Sequence, residues 1–230
     1  MAFLSLKDTQ SNNEKARDFY FPTSKKALII FTKNPELGKV KTRLAKTIGD
    51  ENALEVYKFL INHTISITEE LQVDKYVYYS ENILKNDNWK SDKFRKKLQK
   101  GNDLGERMNN AFSEVFKMGY ETAIIIGSDM FDMEKQDLTA AFEALESHDF
   151  IIGPAVDGGY YLLGMKEPIP ELFEDKEWST DSVLQDTLNN LRYKNHLVLK
   201  ERNDVDYYTD IKDVGAFQKF LPPHLDNNFI

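Results

Sequence analysis

No cysteine occurs among the 230 residues. The chain therefore has no disulfide framework, no thiolate nucleophile and no cysteine-ligated zinc. That absence leans towards a cytoplasmic setting, where disulfides are rare. No run approaches the ~18 apolar residues of a membrane span. Residues 1–6 are too short for a secretory signal, and the stretch after them is too polar to extend one. The four histidines, His63, His148, His196 and His224, lack metal-ligand spacing, and neither a GxSxG elbow nor a GxGxxG run after the first strand is present. Zinc sites, hydrolase triads and that form of dinucleotide binding are poor fits. Basic residues are outnumbered, 30 to 38, for a net charge of −8. Such a balance repels nucleic acid and anionic membranes, and it leaves small anions held by a local basic patch as candidates.

One such patch exists. Lys33 to Lys46 reads KNPELGKVKTRLAK, five basic residues to one acid, just after the apolar run Ala27–Thr32. If this segment is extended, Lys39, Lys41 and Arg43 share a face and converge on one anion; on a helix only Lys39 and Arg43 do. A solvated basic loop is the plain alternative.

Apolar residues make up 41% of the chain, enough for a folded core. Residues 1–26 are expected to form an extension, 27–222 one domain and 223–230 a tail, with no repeat and no linker. Strand-like runs fall at Ala27–Thr32, Val73–Tyr79, Thr122–Ile126, Phe150–Gly153, Tyr160–Met165 and His196–Leu199. Helical spacing begins after Asp50, a plausible N-cap, and recurs over Asp103–Met118, Leu138–Leu145, Thr180–Leu191 and Asp210–Phe220. Such alternation predicts an α/β fold with a mainly parallel sheet covered on both faces, and ligands bound beyond the carboxyl ends of its strands.

The residues suited to chemistry cluster at those ends. Asp129 closes the third strand, where a carboxylate either ligates a hard cation such as Mg²⁺ or caps the next turn. Asp204 and Asp206, two apart in NDVD, share a face if extended and then require a cation or basic partners. Asp157-Gly158-Gly159-Tyr160 is either a tight turn or a loop whose backbone approaches a ligand. Asp103 and Glu106 fit a capping box, which explains neither Gly105 nor Arg107. Trp178-Ser179-Thr180 reads as a helix start, with hydroxyls that cap or meet phosphate.

In order and spacing, FTKNPELGKVKTRLAKTIG, GNDLGERMNNAF, IIIGSDMFDM, GPAVDGGYYLLG, EWST and NDVD resemble one bacterial family. It is the family of GT-A-fold, nucleotide-diphospho-sugar-transferase-like proteins that carry domain of unknown function 2064 and are usually labelled glycosyltransferases. The resemblance spans about residues 27–220. It implies a three-layer GT-A fold with a mainly parallel mixed sheet. It also implies a phosphate-binding loop on Gly38, Lys41, Thr42 and Arg43, with Lys33, Asp103 and Arg107 beside the nucleotide. Gly158, Gly159, Tyr160, Trp178 and Thr180 would line the sugar or acceptor pocket. Asp129 and Asp206 would hold Mg²⁺ or Mn²⁺, Lys41 and Arg43 would stabilise developing charge, and Asp157 is a candidate base. Two departures stand out: Met130-Phe131 replaces the family's Cys-Pro, and Tyr207-Tyr208 its Thr-Pro. The implied activity is glycosyl transfer from a nucleotide sugar to a small-molecule acceptor. Nucleotidyl transfer from a nucleoside triphosphate, with pyrophosphate release, is the alternative, and a non-catalytic nucleotide-binding module the third. Base, sugar, acceptor and oligomeric state stay open.

Overall fold

Strand β1 (Lys26–Thr32) turns Ala27 and Ile29 to one face of the sheet and Leu28 and Ile30 to the other, and all four are buried. A strand apolar at every position needs a layer on each side, which is what the chain supplies. The computed structural model describes residues 22–225. Its other strands are β2 (Asp74–Tyr79), β3 (Arg95–Leu98), β4 (Thr122–Gly127), β5 (Phe150–Pro154), β6 (Tyr160–Met165) and β7 (His196–Val198). They form one sheet in the order β3-β2-β1-β4-β6-β5-β7. Only β6 runs against its neighbours, β4 and β5.

Five α-helices are described: α1 (Thr42–Ile48), α2 (Asp50–Thr68), α3 (Leu104–Lys117), α4 (Lys135–Ser147) and α5 (Val183–Leu191). Tyr57 and Ile61 of α2 and Leu138, Phe142 and Leu145 of α4 pack on the Leu28/Ile30 face. Met108, Phe112 and Val115 of α3 and Leu191 of α5 pack on the Ala27/Ile29 face. A third cluster joins Leu44 and Ile48 of α1, Val56 and Leu60 of α2, and Val205, Ile211 and Phe217 from the end of the chain. None of the described helices is long and apolar enough to cross a membrane.

Several expectations are corrected. The basic segment is neither extended nor one helix, since Lys41 is a left-handed N-cap and α1 starts at Thr42. Asp50 is the first residue of α2 rather than its cap; Gly49, at φ 86°, separates α1 from α2 in a conformation that favours glycine. The helix expected from Thr180 begins at Val183. The closing helix over Asp210–Phe220 is instead two 3₁₀ turns, Tyr208–Asp210 and Gly215–Phe220. Strand β3, RKKL, escaped the periodicity because it is an edge strand whose cations pair with Asp74, Asp87 and Glu114.

Most of the expected 1–26 extension lies outside the described residues, as do 226–230 of the expected tail. Residues 23–26 are tied to the sheet: Lys25 carbonyl accepts from Glu121 and Thr122 N–H, and Lys26 opens β1.

Candidate active site

From β1 the chain passes to β2 and β3 on one side, then returns to β4 on the other. Loops that leave β1 and β4 in opposite senses open a crevice at the carboxyl ends of these strands. A cleft of about 790 Å³ lies there. Its floor is a hydroxyl cluster. The Tyr57 hydroxyl accepts from Lys33 N–H at 2.8 Å and lies 3.2 Å from both Thr32 Oγ1 and Ser128 Oγ. Ser128 in turn bonds Thr32 Oγ1 at 3.0 Å. The end of β1 and the loop after β4 are thereby tied together at Ser128, the residue before Asp129.

Lys41 sits at the centre. Its Nζ lies 3.0 Å from Asp129 Oδ2 and 3.2 Å from Asp206 Oδ1, and only 5% of its side chain is exposed. Arg43 Nη1 reaches the other oxygen of Asp206 at 2.9 Å. Two carboxylates from distant parts of the chain thus face one point, which an ammonium fills. Burial works to lower the Lys41 pKa, but the charges of Asp129 and Asp206 more than offset it and raise it. Desolvation works to raise the Asp129 pKa, and the Lys41 charge overrides it and holds the carboxyl below its ordinary value. Asp204 is pushed up to about 6, by burial first and then by the Asp129 charge.

The loop that carries Asp206 is wound around Asp210. Asp210 Oδ2 accepts from Asp206 N–H at 2.9 Å and Tyr207 N–H at 2.6 Å, while Asn203 Nδ2 donates to Oδ1 at 2.9 Å. Arg202 anchors the same segment by an ion pair to Asp137 at 2.7 Å and to Asp132 at 3.4 Å. The two departures from the family pattern meet different surroundings. Met130 is buried, and Phe131 meets Phe217 edge-on at 4.7 Å. Tyr207 is exposed, with the Arg43 guanidinium 5.6 Å from its ring centre.

Most of the residues singled out in the sequence line this cleft: Lys33, Lys41, Thr42, Arg43, Asp103, Arg107, Asp129, Asp157, Gly159, Tyr160, Trp178, Thr180 and Asp206. Gly38 and Gly158 stand outside the lining. Lys39 lines it too, yet its amine is drawn to Glu36 at 2.6 Å and Glu81 at 3.6 Å, so the expected convergence of three cations reduces to Lys41 and Arg43.

Individual roles divide further. Asp103 caps α3 by accepting from Glu106 N–H at 2.8 Å, and Glu106 reaches back to Asn102 rather than to Asp103. Arg107 Nε donates to the Gly101 carbonyl at 3.0 Å. Thr180 closes a turn on the Glu177 carbonyl at 2.7 Å and does not cap α5. Asp157 forms the turn between β5 and β6, with Oδ1 accepting from Gly159 N–H at 2.9 Å. Trp178 packs against Gly105 of α3, where a Cβ would come within 2.3 Å of the indole, so only glycine admits the ring there. Burial raises the pKa of the Tyr160 hydroxyl, which points at the Met108 sulfur 3.7 Å away.

The donor set suits a hard divalent cation: carboxylate oxygens around a point already filled by a positive charge. No group of three or more acidic, His or Cys side chains among the described residues could hold a metal. A Mg²⁺ or Mn²⁺ ion at Asp129 and Asp206 would take its remaining ligands from phosphate and water, as Mg²⁺ does at nucleotide sites.

Sequence reasoning left Tyr57, Ser128 and Asp210 out of the site. Asp210 carried a usable signal, an acid three residues after Tyr207 as in a capping box. Tyr57 carried none, because it reads as one more apolar position of α2.

The family model described as "Uncharacterized protein conserved in bacteria (DUF2064)" matches residues 64–180. That span includes Asp129, Asp157 and Trp178 and excludes Lys41, Arg43 and Asp206. No curated protein matches the chain. Among solved structures, a "putative nucleotide-diphospho-sugar transferase" from Desulfovibrio desulfuricans G20 is 29% identical, with a TM-score of 0.77 over 90% of this chain and 99% of that one. A CMP:2-keto-3-deoxy-manno-octonic acid synthetase complexed with CTP is 10% identical, with a TM-score of 0.52 over 84% of this chain and 98% of that one. The 4-diphosphocytidyl-2C-methyl-D-erythritol synthase of Anaerococcus prevotii DSM 20548 is 11% identical, with a TM-score of 0.53 over 85% of this chain and 97% of that one. The last two share the fold. The seven-stranded mixed sheet is thus that of nucleotide-diphospho-sugar transferases and cytidylyltransferases.

Proposed function

The chain belongs to the DUF2064 family, and from that premise we propose that it is a metal-dependent transferase acting on a nucleotide-activated donor, a GT-A-type glycosyltransferase that uses a nucleotide sugar. The observation that carries this reading is the convergence of Asp129 and Asp206 on the Lys41 ammonium, at 3.0 and 3.2 Å, inside the cleft beyond β1 and β4. A divalent ion bound by these carboxylates supplies charge neutralisation for a diphosphate. The resemblance of the 29%-identical structure, in fold and over nearly its whole length, supports a nucleotide sugar as donor.

The chain's own groups have separable tasks. Lys41 and Arg43 offer cationic hydrogen bonds to phosphate oxygens, where negative charge grows as the bond between the sugar and the diphosphate breaks. Lys33, exposed on the rim, adds positive charge at the entrance. Trp178, Tyr160 and Thr180 line the cleft together, and the two aromatic rings give it a surface suited to a sugar ring. Asp157 Oδ1 is engaged by Gly159 N–H, and its Oδ2 has no hydrogen-bond partner among the described residues. That oxygen is placed to accept the proton of an acceptor hydroxyl.

A panel of nucleotide sugars incubated with Mn²⁺ and no acceptor tests this reading. Slow release of free sugar and nucleoside diphosphate, abolished by chelator, is the expected result; a panel left intact at high enzyme concentration contradicts it. Nucleotidyl transfer is the second reading, favoured by three cations that line the cleft, Lys33, Lys41 and Arg43, which suit a triphosphate. Pyrophosphate release from a nucleoside triphosphate and a phosphorylated small molecule would select it. Tight nucleotide binding that ignores chelator, without turnover, would instead mark a non-catalytic binding module.

A further inference from the structure

Lys41 has the left-handed backbone of φ 47° and ψ 43°, uncommon for a residue with a side chain. Strained conformations of this kind persist where surrounding contacts over-determine them, often at ligand clamps and switches. Here the consequence is visible: Thr42 and Arg43 next to it are exposed, whereas the Lys41 side chain is 5% exposed and aimed between two carboxylates.

Resting on the function proposed above, we propose that Lys41 is a built-in counter-cation. In the free protein its ammonium holds the point on which Asp129 and Asp206 converge, and a divalent ion takes that point only when a polyphosphate draws the ammonium away. A metal ion arriving alone would have to expel a buried ammonium from both of its acceptors and leave it without an anion. A phosphate in the cleft changes the exchange. Its oxygens accept the Lys41 hydrogen bonds, so the amine stays paired while the aspartates turn to the metal. Every cation keeps an anion, and metal and polyphosphate then bind with reciprocal positive coupling. Free metal is thereby kept out of an empty cleft. Arg43, which holds the second oxygen of Asp206 at 2.9 Å, keeps that carboxylate in place during the exchange.

The test is a calorimetric Mn²⁺ titration of the wild type, Lys41→Met and Lys41→Gln, with inorganic tripolyphosphate as the anion probe. Mn²⁺ alone is expected to bind both variants about 10–100-fold more tightly than the wild type, within the usual range of coupling between sites. Adding Asp129→Asn to Lys41→Met should remove that gain. Equal Mn²⁺ affinity in the wild type and both variants, weak or tight, overturns the proposal while Mn²⁺ binding with tripolyphosphate leaves the metal reading in place. If no form binds Mn²⁺ even with tripolyphosphate, both fail. Should neither variant fold, thermal unfolding of the wild type decides. Mn²⁺ alone should leave its midpoint unmoved, and Mn²⁺ with tripolyphosphate should raise it by more than the sum of the separate shifts. Full stabilisation by Mn²⁺ alone overturns the proposal.

Discussion

The two ends of the sheet each bury a charged cluster, and they treat it in opposite ways. At the amino end, Asp74 is 6% exposed and saturated with donors. It accepts from Thr23 N–H at 2.8 Å, Ser24 N–H at 3.3 Å, the Tyr120 hydroxyl at 2.6 Å and Arg95 at 3.1 Å, and also from the Thr23 hydroxyl. Arg95 and Tyr120 in turn hold Tyr76 at 2.6 and 2.9 Å. At the carboxyl end, one ammonium is shared between two carboxylates that still keep 38% and 27% of their side chains accessible. The first cluster borders a smaller cleft of about 310 Å³, but its carboxylate is saturated by its partners and stabilises the junction of β1, β2 and β3. The second opens on a cleft, and its charges are available to a ligand. Neither buried charge nor a neighbouring cavity alone marks a functional site; unspent hydrogen-bonding capacity facing the cavity does.

Substitutions should separate the two ends. Asp74→Ala removes the shared acceptor of Thr23, Tyr120 and Arg95, and is expected to cost about 3–5 kcal/mol of stability. Turnover per folded molecule should stay unchanged, read by denaturant unfolding beside an activity assay. Asp129→Asn should do the reverse: turnover falls on the order of 10³-fold, while the loss of stability stays well below that of Asp74→Ala, because Asp206 and the new amide oxygen still accept from Lys41. A large loss of stability in that variant would erase the contrast. Arg43→Ala, at an exposed position, should lower turnover on the order of 100-fold, about 2.7–4 kcal/mol in barrier, with a normal fold. Near-normal turnover would remove this residue from the chemistry.

The smallest effect concerns acid. Burial works to raise the Asp74 pKa, but the bonds from Thr23 and Tyr120 and the Arg95 charge more than offset it and hold it below its ordinary value. The folded state therefore binds this proton less readily than the unfolded chain. The resulting stability is fully present above the unfolded value near ~3.9 and is lost as pH falls through the lower folded value. Unfolding free energies measured from neutral pH downward should drop below about pH 4, and Asp74→Asn should flatten that part of the curve.

How much of this could be read from the sequence depends on the kind of signal each part emits. The buried strands declared themselves, because ALIIFT and TAIII are apolar at nearly every position, as a doubly covered sheet demands. Strand β3 did not, since RKKL offers a single apolar residue and owes its place to ion pairs from other elements. Helix α1 was hidden by its own charge: only Leu44 and Ile48 of TRLAKTI are buried, too few to set a period. In the site, Asp129 was legible as a carboxylate ending a central strand. Its partnership with Lys41 was not, because the two are far apart in sequence and the lysine's pattern pointed to phosphate. The left-handed turn that brings Lys41 inward has no signature in a residue type that rarely adopts it.

Anomalous diffraction from crystals grown with Mn²⁺ and a nucleoside diphosphate tests the central claim most directly. The account predicts a single Mn²⁺ peak within coordination distance of both Asp129 and Asp206, with the Lys41 amine moved onto phosphate. A peak held by only one of the two carboxylates, or located elsewhere in the cleft, would contradict it.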